Sequence, residues 1–222
     1  MSMNDQPRGP AAYRALLEHL TVWFDQARRD HPGVIPCHEG CSACCHGPFD
    51  ISLADVELLE AAVHALPEND WLEVRRRAEA LVARMEALEP GWTAPHAVAD
   101  LGEARFDRLT DALAAEPCPL LDSDGRCRIY ADRPLVCRLI GLGLQTPAGR
   151  VIENACPIQD RFPGYAELPP VQFDLESFEE VERACLVQAA GRRFGRPDQW
   201  EFETTITAVL ADLPATRSPW PT

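Results

Sequence analysis

The feature that most constrains this chain is a dense run of metal-ligand side chains within ten residues: Cys37, His38, Cys41, Cys44, Cys45 and His46. Thiolates and imidazoles are the side chains that bind zinc and iron in proteins. Pro36, Gly40 and Gly47-Pro48 predict an irregular loop here, because these residues interrupt helices and strands. Such a loop can turn several thiols toward one ion, so the segment predicts a metal site.

A second group of cysteines lies far downstream at wider, uneven spacings: Cys118, Cys127, Cys137 and Cys156. Cys118 and Cys156 each precede a proline, and Cys127 follows a turn predicted at Ser123-Asp124-Gly125. Arginines crowd the same segment, and their guanidinium groups would offset the negative charge of several thiolates. We therefore expect the two cysteine groups to close on one another in space.

The pair Cys44 and Cys45 carries further information, because adjacent side chains diverge and rarely serve one mononuclear ion. Three interpretations follow. Either one thiol binds a second metal ion, or both belong to a polynuclear site, or one packs as a small apolar side chain. His38 and His46 are either ligands or neighbours of the ligands. Cys185 lies on an apolar helical stripe without a companion thiol, so we predict that it belongs to the core.

The cellular compartment decides whether the thiols are free. The chain has no run of 18 or more apolar residues, so we expect no membrane span. Residues 1–8 lack a charged segment that leads into an apolar one, so we expect no secretory signal and a cytoplasmic protein. Disulfides rarely persist in a reducing cytosol, and the cysteine count of nine is odd. Metal binding is therefore the favoured use of these thiols.

The charge of the chain excludes several function classes. The formal net charge is -14, which argues against nucleic acid as a partner, because phosphate binding needs a basic face. All 21 basic residues are arginine. The absence of lysine excludes a Schiff-base lysine and the lysine of a Walker-type phosphate loop.

Hydrophobic periodicity predicts a mostly α fold with a small cysteine-bearing β/loop region, as one compact, metal-stabilised α+β domain over residues 1–222. Hairpins are predicted around 118–130 and 142–152, and a short helix begins near Asp132 and Pro134. The longer helices are predicted over about 11–30, from a cap at Ser52 to Pro67, from a cap at Asp70 to Leu88, around Phe106 to Leu113, over 174–190 with Gly191 as its cap, and over 198–213.

Taken together, these motifs resemble the YkgJ-type cysteine-cluster proteins, described as a zinc- or iron-chelating domain with a related cluster in flagellin lysine N-methylase. The resemblance covers roughly residues 33–160 and rests on these pieces: Cys37-x3-Cys41-x2-Cys44-Cys45, Cys118-Pro-Leu-Leu, Cys127-Arg-Ile-Tyr130, Arg133-Pro134-x2-Cys137-Arg138 and Cys156-Pro157. It implies that all eight of these cysteines are metal ligands. Four further residues are candidates to lie next to the ligands: Arg133, Arg138, His38 and His46. The flanking helices, about 11–30 and 174–213, carry no motif of this family.

Three functions remain open at this point. The first is chelation of iron, as separate ions or a 4Fe-4S cluster, or of zinc, and the Cys44-Cys45 pair and the resemblance favour iron. The second is a lysine-methylase-like enzyme that modifies proteins, although the chain lacks a glycine-rich nucleotide-binding fingerprint. The spacing Cys37-x3-Cys41-x2-Cys44 also occurs in radical S-adenosylmethionine enzymes, but here long helices follow it and Ala43 replaces the usual aromatic residue. The third is a zinc-stabilised module that binds a protein partner.

Overall fold

The computed structural model describes residues 9–214. Its helices are α1 (Pro10–Asp30), α2 (Leu53–His64), α3 (Glu68–Leu88), α4 (Val98–Leu101), α5 (Glu103–Ala112), α6 (Leu135–Leu139), α7 (Pro163–Ala166), α8 (Leu175–Phe194) and α9 (Ile206–Asp212). Its strands are β1 (Asp50–Ser52), β2 (Leu144–Gln145), β3 (Val151–Ile152), β4 (Val171–Gln172) and β5 (Glu203–Thr205). Residues 1–8, on which the expectation of no secretory signal rests, lie outside the described part.

Helix α1 begins and ends where the sequence predicts. Pro10 occupies its first turn, where proline's fixed φ suits a helix and its missing N–H costs nothing. The helix ends before His31, because Pro32-Gly33 cannot continue it. The side chains of Tyr13 and Leu20 are almost fully buried in the contact of α1 with α2 and α8. Helix α1 therefore forms one wall of the core and ends directly before the first cysteines.

Helices α2 and α9 both start from a two-stranded antiparallel sheet of β1 and β5. The predicted cap of α2 is confirmed, because the Ser52 Oγ accepts a hydrogen bond from the Asp55 N–H at 3.3 Å. Thr205 caps α9 in the same way, with its Oγ1 3.1 Å from the Ala208 N–H. This sheet anchors the end of the first cysteine loop to the C-terminal part of the chain.

The apolar faces of the helices meet in separate clusters. Trp71 and Val74 of α3 share one cluster with Leu210 of α9. Leu20 of α1 and Leu58 of α2 belong to a second cluster, to which α8 also contributes. A third cluster lies between the end of α3 and α5. The first of these clusters also contains cysteines of both groups, so the metal-ligand candidates are built into the core.

A second, three-stranded sheet has the order β3-β2-β4. Strands β2 and β3 form the hairpin predicted over 142–152, with a loop in which the Thr146 Oγ1 accepts from the Arg150 N–H at 3.2 Å. Strand β4 pairs in parallel with β2 and was not predicted, because a two-residue strand is too short to show a periodicity. Between α5 and α8 the chain thus contains only short elements, and this region carries the second cysteine group.

Helix α3 begins three residues earlier than predicted. The prediction of Asp70 as the cap is wrong, since the helix starts at Glu68 and its N-terminal cap is Pro67. The Asp70 carboxylate instead pairs with the Arg128 guanidinium at 2.6 Å, and Glu73 pairs with the same group. Because Asp70 and Arg128 are far apart in the sequence, no local sequence pattern predicts this ion pair.

The predicted ends of the C-terminal helices are also wrong. Helix α8 continues through Gly191 and is capped by Gly195, whose φ of 66° is left-handed. Gly191 lies inside the helix, where an added Cβ would stand 3.6 Å from Pro197. The single helix predicted over 198–213 is divided into a short turn, β5 and α9, because pairing with β1 draws residues of this stretch into a strand.

The described residues are mostly helical with two small sheets, which confirms the predicted mostly α composition with a small β/loop region. No helix in the described part of the chain is both long enough and apolar enough to cross a membrane. Stabilisation by a metal and the organisation of residues 1–222 as a single domain stay predictions.

Glu182 of α8 makes the stability of the fold depend on pH. Burial, and then the charges of Asp55, Glu179 and Glu203, raise its pKa to about 7 from the ordinary 4.5. Between these two values the folded state keeps a proton that the unfolded state releases. The free energy of unfolding therefore falls as the pH rises from about 4.5 to about 7.

We expect Glu182→Gln to raise the free energy of unfolding by about 1–2 kcal/mol at pH 8 and to change it little at pH 4, because glutamine carries no charge to bury. Denaturant titrations at both pH values measure this difference. Glu180→Gln, an exposed change on the same helix, is the matched control. A Glu182→Gln effect of equal size at both pH values would contradict the assignment.

Candidate metal centre

The first cysteine loop connects α1 to β1 and is folded by its own backbone. The Cys41 N–H donates to the His38 carbonyl at 3.0 Å, and the Cys45 N–H donates to the Ser42 carbonyl at 3.0 Å. Each hydrogen bond closes a tight turn, and Gly40 has the positive φ of 96° that the first turn requires. The predicted irregular loop is confirmed.

Backbone hydrogen bonds join the two cysteine groups. The Cys118 N–H donates to the Cys45 carbonyl at 2.9 Å, and the Gly47 N–H donates to the Glu116 carbonyl at 2.7 Å. His46 and Pro117 form an isolated antiparallel bridge between these contacts. The expected closure of the two groups on one another is therefore present.

Short local structures hold the other downstream thiols. The Asp122 Oδ1 accepts from the Arg126 N–H at 2.8 Å and closes the predicted turn before Cys127. The Cys156 N–H donates to the Asn154 Oδ1 at 2.9 Å. Cys137 lies in α6, the short helix predicted after Pro134.

A buried carboxylate holds the start of α6. The Asp55 Oδ1 accepts from the Leu135 N–H at 3.0 Å and from the Tyr13 hydroxyl at 2.9 Å. Burial raises the pKa of Asp55, whereas these donors favour its charged form. Helices α1 and α2 therefore position Cys137 through Asp55. The sequence pointed to Asp55 only as a partner of the Ser52 cap.

Four of the cysteines form an inner set that packs in the cluster beneath α3 and α9: Cys45, Cys118, Cys127 and Cys137. Cys118 is only 9% exposed. After burial, the negative charges of Cys118 and Cys127 also raise the pKa of the Cys137 thiol. We call these four residues the inner set.

The remaining four form an outer set: Cys37, Cys41, Cys44 and Cys156. Cys37 and Cys156 belong to one apolar cluster with Tyr165, and the Cys37 Sγ lies 3.7 Å from the Tyr165 Oη. After burial, the negative charges of Cys156, Cys41 and Cys44 also raise the pKa of the Cys37 thiol. The pair Cys44 and Cys45 therefore divides between the two sets.

Two cavities border the cysteines. A cavity of about 50 Å³ is lined by six of them: Cys41, Cys44, Cys45, Cys118, Cys127 and Cys137. A larger cleft of about 240 Å³ is lined by Cys37, Cys41, Cys44 and Cys137, and by side chains of α1. Three cysteines therefore lie between the small cavity and the cleft.

Burial keeps several of these thiols protonated when no metal is bound. It raises the pKa of Cys37 to about 11 and that of Cys118 to about 12, and it raises the pKa values of Cys127 and Cys137. The pKa of Cys44 is raised first by its side-chain interaction with Cys45, in which the Cys44 thiol is the donor, and then by burial. A metal ion binds thiolates, so binding here would release protons.

The donor set fits zinc or iron, since both bind thiolates and six thiols border one small cavity. Within residues 9–214, no three cysteine, histidine or carboxylate side chains already surround one point as a metal site does. Binding an ion therefore requires the thiols to reorient. The buried Nε of Arg133 has no hydrogen-bond partner. The positive charge of its guanidinium offsets part of the rise in the pKa values of Cys44, Cys127 and Cys137. This orphaned donor fits a site that holds thiolates.

The other candidate neighbours have different surroundings. Arg138 is 7% exposed, and its guanidinium donates to the carbonyls of Arg133 and Ala131 and to the Thr21 Oγ1. It therefore fixes the backbone that carries Arg133. The His38 Nδ1 hydrogen-bonds to the Glu39 carbonyl at 2.7 Å and the residue lines the cleft, whereas His46 lies in the bridge between the groups.

Sequence reasoning missed two residues that the structure places against the outer set. The Tyr165 hydroxyl donates to the Gly141 carbonyl and lies beside Cys37. Gly141 has a φ of 110°, and an added Cβ would stand only 2.7 Å from the Cys37 Sγ. Neither residue belongs to a cysteine motif, so only the tertiary contact identifies them.

We expect Gly141→Ala to displace Cys37 and weaken metal binding at the outer set by at least about tenfold, through the clash with the sulfur and the left-handed φ. Gly149→Ala is the matched control, because Gly149 also has a positive φ of 89° but nothing within 4 Å of the added Cβ. Competition with a metallochromic chelator measures affinity. Equal losses in both variants would assign the effect to backbone strain alone.

Comparison with known proteins identifies the family. The CxxCxxCC family model, described as "Putative zinc- or iron-chelating domain", matches residues 36–157, more than half of the chain. The match contains the inner and outer sets and leaves out Cys185, which lies in the core as predicted. No curated protein and no solved structure matches the chain significantly. The chain therefore belongs to the CxxCxxCC family, the cysteine-cluster family that its motifs resemble.

Proposed function

We propose that this protein binds iron or zinc at two thiolate centres, one formed by the inner set and one by the outer set. The division of the eight cysteines into two groups of four carries the proposal, because four thiolates complete a site for either metal. The unpartnered Nε of Arg133 supports it, since a thiolate would accept a hydrogen bond from that buried donor.

The two centres differ in their surroundings. The inner set packs in an apolar cluster, and its cysteines come from the first loop, the turn at Asp122 and α6. A metal there would cross-link three short elements that have little apolar surface of their own, so we assign it a structural role. Three of the cysteines that border the open cleft belong to the outer set. A metal in the outer set would be reachable from solution.

Of the two metals, iron is the one we propose. Cys44 and Cys45 are adjacent in the chain and belong to different sets, so the two centres would lie side by side, and a set of four thiolates can hold a polynuclear iron cluster. Bound iron would supply Lewis-acid and one-electron chemistry beside the cleft. All nine cysteines are free, and a reducing compartment such as the cytoplasm would keep them so.

The test is metal content per chain by mass spectrometry, on protein purified without oxygen, beside its visible spectrum. Iron with acid-labile sulfide and a brown colour supports a cluster, and iron without sulfide supports separate ions. Two zinc ions and no colour would replace iron by zinc and keep the two centres. Protein without stoichiometric metal would contradict the proposal. Cys185→Ser, which changes a cysteine outside both sets, should retain the wild-type metal content.

A further inference from the structure

Arg133 is unusual among the partly buried arginines of the described chain. Arg128 pairs with Asp70 and Glu73, and the guanidinium of Arg138 donates to three oxygens. The guanidinium of Arg133 makes no hydrogen bond or ion pair with any described residue. Its guanidinium carbon lies 3.8 Å from the centre of the Tyr130 ring, so stacking on that ring is its one polar contact within residues 9–214.

The position of Arg133 connects the cysteines to the cleft. Its side chain lines both the small cavity bordered by six cysteines and the 240 Å³ cleft, and its Nε is buried. A guanidinium offers two further nitrogens with a fixed planar geometry. The cleft is thus an open cavity with a cation that lacks an anionic partner, and such a cation attracts an anion.

The walls of the cleft indicate what kind of anion fits. Leu20, Phe24 and Ile140 provide apolar surface. The charged lining consists of three arginines and two acids: Arg28, Arg133, Arg138, Asp25 and Glu39. The acids oppose a multiply charged anion. The part of α1 that lines the cleft is its C-terminal half, whose dipole also repels negative charge. A single negative charge on an apolar body fits these walls best.

We propose that this cleft binds a small organic monocarboxylate, with the carboxylate on the terminal nitrogens of Arg133 and the apolar part against Leu20, Phe24 and Ile140. Planar guanidinium groups bind carboxylates through two parallel hydrogen bonds. The site does not depend on which metal the cysteines bind, and it goes beyond the proposed metal-binding function. A ligand in this position lies directly beside Cys41, Cys44 and Cys137.

Isothermal titration of the purified full-length protein with butyrate, hexanoate and phenylacetate tests the proposal, with inorganic phosphate as the comparison anion. The metal content of every sample is measured in parallel. We expect binding that strengthens with the apolar size of the carboxylate, and phosphate binding at least tenfold weaker. Arg133→Leu should lose at least tenfold in carboxylate affinity, and Arg133→Lys should recover part of the loss, because lysine keeps the charge and loses the planar geometry.

Two further variants separate binding from folding. Arg126→Leu changes an exposed arginine that does not line the cleft, and it should bind like the wild type. Arg28→Leu changes an exposed residue of the cleft wall and should weaken binding about threefold with its metal content unchanged. If Arg133→Leu also loses its metal, Arg28→Leu decides, and unchanged affinity there would overturn the proposal. So would an absence of carboxylate binding by the wild type, or stronger binding of phosphate. Carboxylate binding by metal-free protein would uphold this site and contradict the proposed metal centres.

Discussion

Serine at Cys118 is expected to remove about half of the bound metal and leave the other half in place, because three remaining thiols hold an ion far more weakly than four. Cys118 belongs to the inner set and is the cysteine whose N–H joins the two groups through Cys45. Cys156→Ser should remove the other half, since Cys156 belongs to the outer set. Mass spectrometry of both variants beside the wild type measures the metal that each retains.

The two variants should also differ in stability and in metal exchange. Cys118→Ser removes the metal that would fasten α6 and the turn before Cys127, so we expect its melting temperature to fall by about 10 °C, and that of Cys156→Ser by less. The metal that Cys118→Ser retains should pass to a chelator faster than the metal that Cys156→Ser retains, because the outer set borders the open cleft.

Cys185→Ser is again the control, since it removes a buried thiol that neither set contains. If Cys118→Ser or Cys156→Ser alone removed the metal from both centres, the eight cysteines would hold one shared cluster instead of two centres. If stripping the metal left both the helical circular dichroism and the melting temperature of the wild type unchanged, the structural role of the inner centre would be wrong.

Asp55→Ala is expected to lower the free energy of unfolding by about 3 kcal/mol or more, since it leaves one buried donor and two partly buried donors without an acceptor. These donors are the Tyr13 hydroxyl, the Leu135 N–H and the Ser52 hydroxyl, which lies 3.2 Å from the Asp55 Oδ2. Asp55 is itself only 2% exposed, so water does not replace the lost carboxylate. Denaturant titration of the metal-loaded protein measures the loss.

Asp55→Asn is the matched variant, because its amide oxygen can still accept from Tyr13 and Leu135 and its charge no longer has to be buried. We expect it to remain within about 1 kcal/mol of the wild type near neutral pH. Asp55→Ala should also weaken metal binding at the inner set, because α6 carries Cys137. An asparagine variant as unstable as the alanine variant would show that the charge, and not the hydrogen-bond acceptor, is what the fold requires.

Local patterns in the sequence predicted most of the helices and the family. The start of α1 at Pro10 and the cap of α2 at Ser52 depend on residues within a few positions, and so do the hairpin around Thr146 and the turn before Cys127. The errors have the opposite origin. Asp70 forms an ion pair with Arg128 instead of capping α3, and part of the stretch 198–213 pairs with β1 as a strand. In both cases a partner distant in the chain outweighed the local preference.

The sequence by itself determined the family and predicted which residues bind a metal, because the spacing of the cysteines and the chemistry of their thiols depend on the chain alone. Only the tertiary structure divided them into an inner and an outer set, brought Gly141 and Tyr165 against Cys37, and left Arg133 facing a cleft without an anionic partner. The physical reason is that these relations join residues far apart in the chain. Burial, close approach and charge pairing depend on distances in space, and sequence spacing does not fix those distances across long loops.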